Sequence, residues 1–484
     1  MSQAAHFADA STQVRARKVT QQRLAPVLVF AAAASVCVLI WTIDAMPQQA
    51  KMALIAFAVA IAAWIGTRLP ETSVALVAAC ALVVSGAIEA EHLFSGLGDD
   101  VVWLLIGAFL MAAVVRGSGL AQWLLLKAVA GSGSVRGLFH RLTWLMIATA
   151  FVIPSTSGRA ALLLPVYAAL VSEMRDAGLR RALALLFPTV ILLSACASLL
   201  GAGAHLVAVD FMAEMGLSEL SFIDWALIGT PFAVITSMVA TEVILFLFLD
   251  AGTRSRFPQL PDAPQGRLTP RQYRIASLMA LIIMLWATTF WHGIDPAMVA
   301  LLGALAMANK TVGGMSMKEA MKQVEWNLIL FLAATLVLGG ALLDSGAADW
   351  LARAALQHLP QSVMAEPMAV VAITGLIAMA SHLFITSRSA RAAVLIPTLA
   401  LPLAIVPTQA ALLIVIAVIG SGFCQTFRIS AKPVVLYSEH DGASAYTDAD
   451  LMRLSLWLMP PFALLLMLFA LQIWPRLGLG LSLH

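Results

Sequence analysis

Charge is what this 484-residue chain has least of: Asp and Glu number 26, Lys and Arg 29, and only 11% of the residues are charged. A soluble protein covers most of its exterior with polar side chains, and a composition that is 61% hydrophobic cannot do so. Lipid must therefore serve as part of its solvent. The few Lys and Arg residues sit mostly between apolar segments and form no nucleic-acid-binding patch, so no nucleic-acid partner is expected. Cysteine is scarce too: Cys37, Cys80, Cys196 and Cys424 are isolated within apolar segments, without metal-ligand or disulfide spacing. No His/Asp/Glu metal cluster and no nucleophile with a base at workable spacing is found, so neither an enzyme nor a metal or cofactor is expected. No cleaved leader is expected either. The first apolar stretch, 25–43, exceeds the ~7–15-residue core of a signal, and no small-residue cleavage site follows it.

What the chain does have is a series of apolar runs near the ~20 residues needed to cross a bilayer. Candidate spans are 25–43, 52–67, 71–88, 101–116, 183–209, 225–249, 273–291, 295–309, 327–343, 409–438 and 455–474. Two further regions, 138–172 and 364–405, are each interrupted by a polar cluster and then a proline. That pattern fits a re-entrant helical hairpin whose polar tip is buried in protein. The expected fold is an all-α membrane protein with about 11 transmembrane helices plus two re-entrant hairpins. Loop charge orients it. Arg175, Arg180, Arg181, the arginines of 254–274, and Lys310, Lys318 and Lys322 fall on one side. Glu89, Glu91, Asp99, Asp100, Asp210, Glu214, Glu219 and Asp224 fall on the other, in loops without Lys or Arg. The positive-inside rule then puts the N-terminus, with Arg15, Arg17, Lys18 and Arg23, in the cytoplasm of a multi-pass protein, as in a bacterial inner membrane.

An internal repeat is the most specific signal. Ser155–Pro165 reads S-T-S-G-R-A-A-L-L-L-P and Ser387–Pro397 reads S-R-S-A-R-A-A-V-L-I-P, with Arg159/Arg391 and Pro165/Pro397 each 232 positions apart. Upstream, G-S-G-L-A-Q-W (117–123) is echoed by D-S-G-A-A-D-W (344–350). Downstream of each hairpin an interrupted span follows, S-A-C-A-S-L-L-G-A-G-A-H at 194–205 and G-S-G-F-C-Q-T-F-R-I-S-A-K-P at 420–433. On this topology the two hairpins enter from opposite sides. Inverted repeats with paired broken helices place a substrate site near the membrane midplane in secondary transporters.

The order of elements and the two S-x-[ST]-x-x-A-A-x-x-x-P tips resemble the divalent anion/sodium symporter (DASS) family over roughly residues 50 to 478. The resemblance implies an elevator fold, in which a transport domain moves against a scaffold in a homodimer, and a small anionic substrate such as a dicarboxylate, citrate or sulfate. It divides the chain into a cytoplasmic tail (1–24), scaffold spans (25–135 and 273–360), hairpin and broken-helix transport regions (136–250 and 361–484) and a cytoplasmic loop (251–272). It also implies that substrate and sodium are held at the tips and helix breaks. Here the sequence departs from the family. Thr156 and Arg388 stand where its tips carry Asn, and Arg159 and Arg391 follow each tip.

A charged residue at the bilayer centre costs at least ~2.5–3.5 kcal/mol on insertion scales and normally faces partners or water. Arg159, Arg388, Arg391, Arg428 and Lys432 form a basic set there, and a guanidinium fork suits oxyanions. The expected substrate-binding residues are Ser155, Thr156, Ser157, Arg159, Ser387, Arg388, Ser389, Arg391, His205 and Ser430, the hydroxyls donating beside helix N-termini. Glu242 and His205 are the candidates for a coupling proton. The reading that follows is a secondary carrier of di- or tricarboxylates, sulfate or sulfonates that does not depend on sodium. An anion channel with an arginine-lined pore, or a carrier of a neighbouring ion-transporter family, is the alternative.

Overall fold

The same order of helices occurs twice along the chain, of which a computed structural model describes residues 26–217, 220–262, 264–358, 366–404, 407–440 and 442–479. The tail 1–24 and Glu219, both placed by loop charge, lie outside these residues. The chain opens with α1 (Pro26–Trp41), α2 (Gln48–Gly66), α3 (Glu71–Val84) and α4 (Asp100–Ser118). A short α5 (Leu120–Val129) leads to the first hairpin, α6 (Val135–Ala148) and α7 (Thr156–Glu173). Next come α8 (Ala177–Leu193), two single-turn 3-10 segments, α9 (Gly203–Glu214) and α10 (Phe222–Phe248).

The second half repeats this order with α11 (Pro270–Ala287), α12 (Pro296–Met307), α13 (Trp326–Asp344) and α14 (Ala347–His358). Its hairpin is α15 (Pro367–Ala380) and α16 (Arg388–Leu395), followed by α17 (Pro407–Gly420), a break, α18 (Lys432–Leu436) and α19 (Asp448–Leu468). Among the described residues, six helices are long and apolar enough to cross a membrane by length and composition, Phe222–Phe248 and Trp326–Asp344 among them. Others, such as the 14-residue α3, span only about 21 Å. Both hairpins and both breaks fall where the polar interruptions of the sequence put them.

The two halves interlock. α4 of the first packs along α12 of the second, and α13 of the second packs along α3 of the first. Small residues make the approach possible: a Cβ on Gly107 of α4 would lie 2.7 Å from the Cβ of Ala300 on α12. The hairpin arms do not chiefly hold each other. α6 and α7 both pack on α8, so the first hairpin is carried by the helix that then breaks; in the second, α15 packs on α17 while α16 packs chiefly on α9 of the first half. α8 is the central element, with 89% of its apolar window buried against 33% for α2.

Broken backbone inside a membrane protein needs partners, and α10 supplies them for the first break. Trp225 Nε1 donates to Cys196 O at 3.1 Å, and Thr230 Oγ1 to Ala197 O at 2.9 Å. Gly229 lies between them because any Cβ there would sit 1.8 Å from Cys196 O.

Candidate functional site

Four helices begin at one cavity of about 700 Å3: α7 at Thr156, α9 at Gly203, α16 at Arg388 and α18 at Lys432, each of which lines it. The first-turn N–H groups and dipole ends of α7, α9 and α16 add positive potential to the space, whereas the five-residue α18, with Pro433 in its first turn, adds little. The spacing of the repeat explains the convergence. In each half a serine caps the second hairpin arm: Ser155 Oγ accepts from Gly158 N at 2.8 Å, and Ser387 Oγ from Ala390 N at 3.4 Å. Ser157 and Ser389 line the cavity as well.

The two repeat-related arginines are used differently. Arg391 is fully buried and lines the cavity, and among the described residues none of its three guanidinium nitrogens has a hydrogen-bond partner. Arg159 is equally buried but does not line the cavity. Its Nη1 donates to Ile191 O at 2.9 Å and its Nε to Thr149 Oγ1 at 3.0 Å, while Nη2 donates at 2.6 Å to both Met146 O and Ser194 Oγ. The expectation that Arg159 touches substrate does not fit this placement: its donors are spent tying the first hairpin to the first helix break.

Arg388 lies between these cases. It lines the cavity, donates to Leu192 O at 3.3 Å and to His205 Nε2 at 3.3 Å, and its Nε is without a partner among the described residues. Gly422 gives it room, since a Cβ there would lie 2.7 Å from Arg388 Nη2. His205 is buried outside the cavity lining and stacks on Trp225 at a centroid distance of 4.8 Å. With Nδ1 held at 3.0 Å from Ser198 O, the imidazole carries its proton on Nδ1 and offers Nε2 to Arg388.

Other expected residues lie elsewhere. Ser430 is buried outside the cavity lining, its Oγ accepting from Phe427 N at 3.1 Å. Glu242 is on α10 away from the cavity, ion-paired with Arg136 at 2.9 Å, hydrogen-bonded to His140 Nε2 at 2.6 Å and 40% exposed. Arg428 pairs with Asp448 at 2.7 Å. Ahead of the second tip, His382 bonds to Met379 O and, at 2.8 Å, to Thr426 Oγ1.

Sequence reasoning missed the acidic side of the cavity. Glu71 and Glu325 line it, and Glu325 Oε1 accepts the Ser155 hydroxyl at 2.7 Å. The available signal was position: each acid stands at the start of an apolar span that follows a basic loop containing Arg68 or Lys322. Thr72 Oγ1 donating to Asn327 O at 2.7 Å holds those two helix starts together.

The chain as a whole is similar to known transporters. A family profile described as citrate transporter (CitMHS) matches residues 61–420. The citrate/succinate antiporter of Escherichia coli (strain K12) is 25% identical over 449 residues, covering 86% of this chain and 90% of that protein. Dicarboxylate transporter 1 of Arabidopsis thaliana chloroplasts is 24% identical over 336 residues, 65% of this chain and 59% of that one. Among solved structures, the YdaH transporter of Alcanivorax borkumensis aligns with a TM-score of 0.51 and 15% identity over 80% of this chain and 86% of that chain, a likeness of fold.

Proposed function

This chain belongs to the citrate transporter family and is a secondary transporter of anions, and on that premise we propose that it carries di- or tricarboxylates without sodium, by elevator-type alternating access. One observation carries the substrate reading. Arg391 is a fully buried guanidinium with no partner among the described residues, at a cavity where four helix N-termini meet. Burying an unpaired charge is costly, and a counter-anion removes the cost. Arg388, Arg391 and Lys432, all lining the cavity, suit an anion with more than one oxyanion group, each carboxylate taking a guanidinium fork.

Sodium independence rests on Arg159. Its guanidinium is held only by oxygens, two backbone carbonyls and two hydroxyls from the hairpin and the helix break. Such an oxygen set also suits a small cation, and a tethered guanidinium fills it permanently. A second unit charge 4 Å away would be repelled by ~4 kcal/mol at an effective dielectric near 20. The same charge supplies the positive potential that a bound cation would bring.

Within the elevator, α2–α4 and α11–α13 form the scaffold, and the hairpins with their broken helices move. Glu71 and Glu325, which line the cavity, follow loops that hold Arg68 and Lys322, and the positive-inside rule supports reading this as the cytoplasm-facing conformation. The test is uptake of citrate, succinate and sulfate into proteoliposomes in sodium, potassium and choline buffers at fixed pH and potential. Saturable uptake of citrate or succinate, equal in the three buffers and lost in Arg391→Gln, is expected. Steep sodium dependence removes the tethered-cation reading, and wild-type uptake by Arg391→Gln removes the substrate assignment.

A further inference from the structure

Two acidic residues stand at equivalent places in the two halves. Asp99 is the N-cap of α4 and Glu325 the N-cap of α13, and each of these helices runs 19 residues. In the conformation seen they are used differently. Asp99 Oδ1 accepts from Val101 N at 2.8 Å, so it serves its own helix. Glu325 makes no side-chain cap; it reaches across to the first hairpin and takes the hydroxyl of Ser155 at 2.7 Å. The repeat partner of Ser155 is Ser387, and among the described residues no acidic group takes the Ser387 hydroxyl.

An inverted repeat lets the halves exchange roles: a contact made by one half in one state is made by the other half in the opposite state. A hydroxyl bound to a carboxylate is a charge-assisted bond, stronger than a neutral one. Left unmatched, one such bond would bias the conformational equilibrium about tenfold or more and trap the carrier. The scaffold therefore needs a second acid aimed at the second hairpin, and Asp99 stands where that acid is required.

We propose that Glu325 and Asp99 are alternating latches: Glu325 holds the first hairpin through Ser155 in the conformation seen, and Asp99 takes the Ser387 hydroxyl in the opposite one. Both act as positioning residues for transport. The inference rests on the alternating-access reading above. It also means that the Ser155 hydroxyl is committed to the scaffold here, leaving Thr156, Arg388 and Arg391 to meet substrate from this side. Arg116 reinforces the latch: it lies 3.5 Å from Gln323 O and 3.5 Å from where a Cβ on Gly158 would sit, so a scaffold cation borders the same tip.

The experiment reads conformation directly. Ile429 is 74% exposed at the cavity, so Ile429→Cys in a background lacking Cys37, Cys80 and the cavity-lining Cys424 reports the open state through its rate of labelling by a membrane-impermeant maleimide. Glu325→Ala should slow labelling about tenfold, the bias expected of one charge-assisted bond. Ser155→Ala, which removes the donor and not the acid, should do the same. Asp99→Ser keeps a capping hydroxyl but loses the carboxylate; added to Glu325→Ala, it should return labelling toward the wild-type rate. An unchanged rate in both Glu325→Ala and Ser155→Ala, or a double variant slowed further, overturns the latches. Citrate and succinate binding is measured calorimetrically on the same purified proteins. Binding by wild type without these shifts leaves the carrier reading standing and the latches refuted, whereas no binding of either anion by wild type refutes the carrier reading itself.

Discussion

The imidazole of His205 accepts a hydrogen bond from Arg388 at 3.3 Å, joining the helix break of the first repeat to the hairpin tip of the second. Residues 183 positions apart in sequence are thereby made one unit of the site. His205 does not face the cavity; it aims a residue that does. Its neighbours fix this role, Ser198 O on one nitrogen and Trp225 against the ring.

Replacing His205 should therefore change substrate affinity through Arg388. His205→Leu leaves the guanidinium without its side-chain acceptor and is expected to raise KM about tenfold, the scale of one hydrogen bond to a charged group. His205→Gln, which retains an acceptor, should lie closer to wild type. Equal loss in both, with kcat falling and KM constant, would remove the positioning role.

The paired arginines should separate in stability. Arg159→Gln strips donors from two carbonyls and two hydroxyls, at an expected cost of about 3 kcal/mol or more. Arg391→Gln removes an unpartnered buried charge and should leave stability equal or higher, because a lone buried ion is itself destabilising. Thermal unfolding in detergent measures both. A drop in Arg391→Gln as large as in Arg159→Gln would mean that Arg391 is an architectural residue.

Glu242 is expected to be dispensable for coupling. It is 40% exposed and already paired with Arg136 and His140, so Glu242→Gln should cost ~1 kcal/mol or less and leave the pH profile of uptake unchanged. A shifted profile would return it to the transport cycle.

Sidedness is checked by cysteines placed beside Arg256 and Glu91. The first should be labelled only from the cytoplasm and the second only from outside, following the loop charges. Reversal at both positions would invert the hairpins and the face to which the cavity opens.

Much of the architecture was legible in the residues. Apolar runs, two polar-then-proline interruptions and the R-A-A-x-L-x-P repeat placed both hairpins and both breaks, because membrane depth restricts backbone to helices unless protein receives the broken part. The tip hydroxyls were legible as cavity residues, because a polar cluster before a buried arm must face protein or water; that Ser155 and Ser387 also cap their arms was not read from the sequence. Glu325 was not legible as a site residue. Its partner Ser155 is 170 positions away, and only the packing of α13 beside the first hairpin brings them together.

The sequence by itself determined the class, the inverted repeat and the excess of positive charge at its centre. It could not rank Arg159 against Arg391, which share one motif and one spacing. Tertiary structure decided between them through their neighbours. The end of α8 and the break after it supply Arg159 with the Ile191 carbonyl and the Ser194 hydroxyl, whereas the hydroxyl that opens the second break, Ser421, is turned back onto Val418 O, and among the described residues no acceptor reaches Arg391. A buried guanidinium satisfied on every nitrogen is architecture, and one without partners beside a cavity calls for an anion.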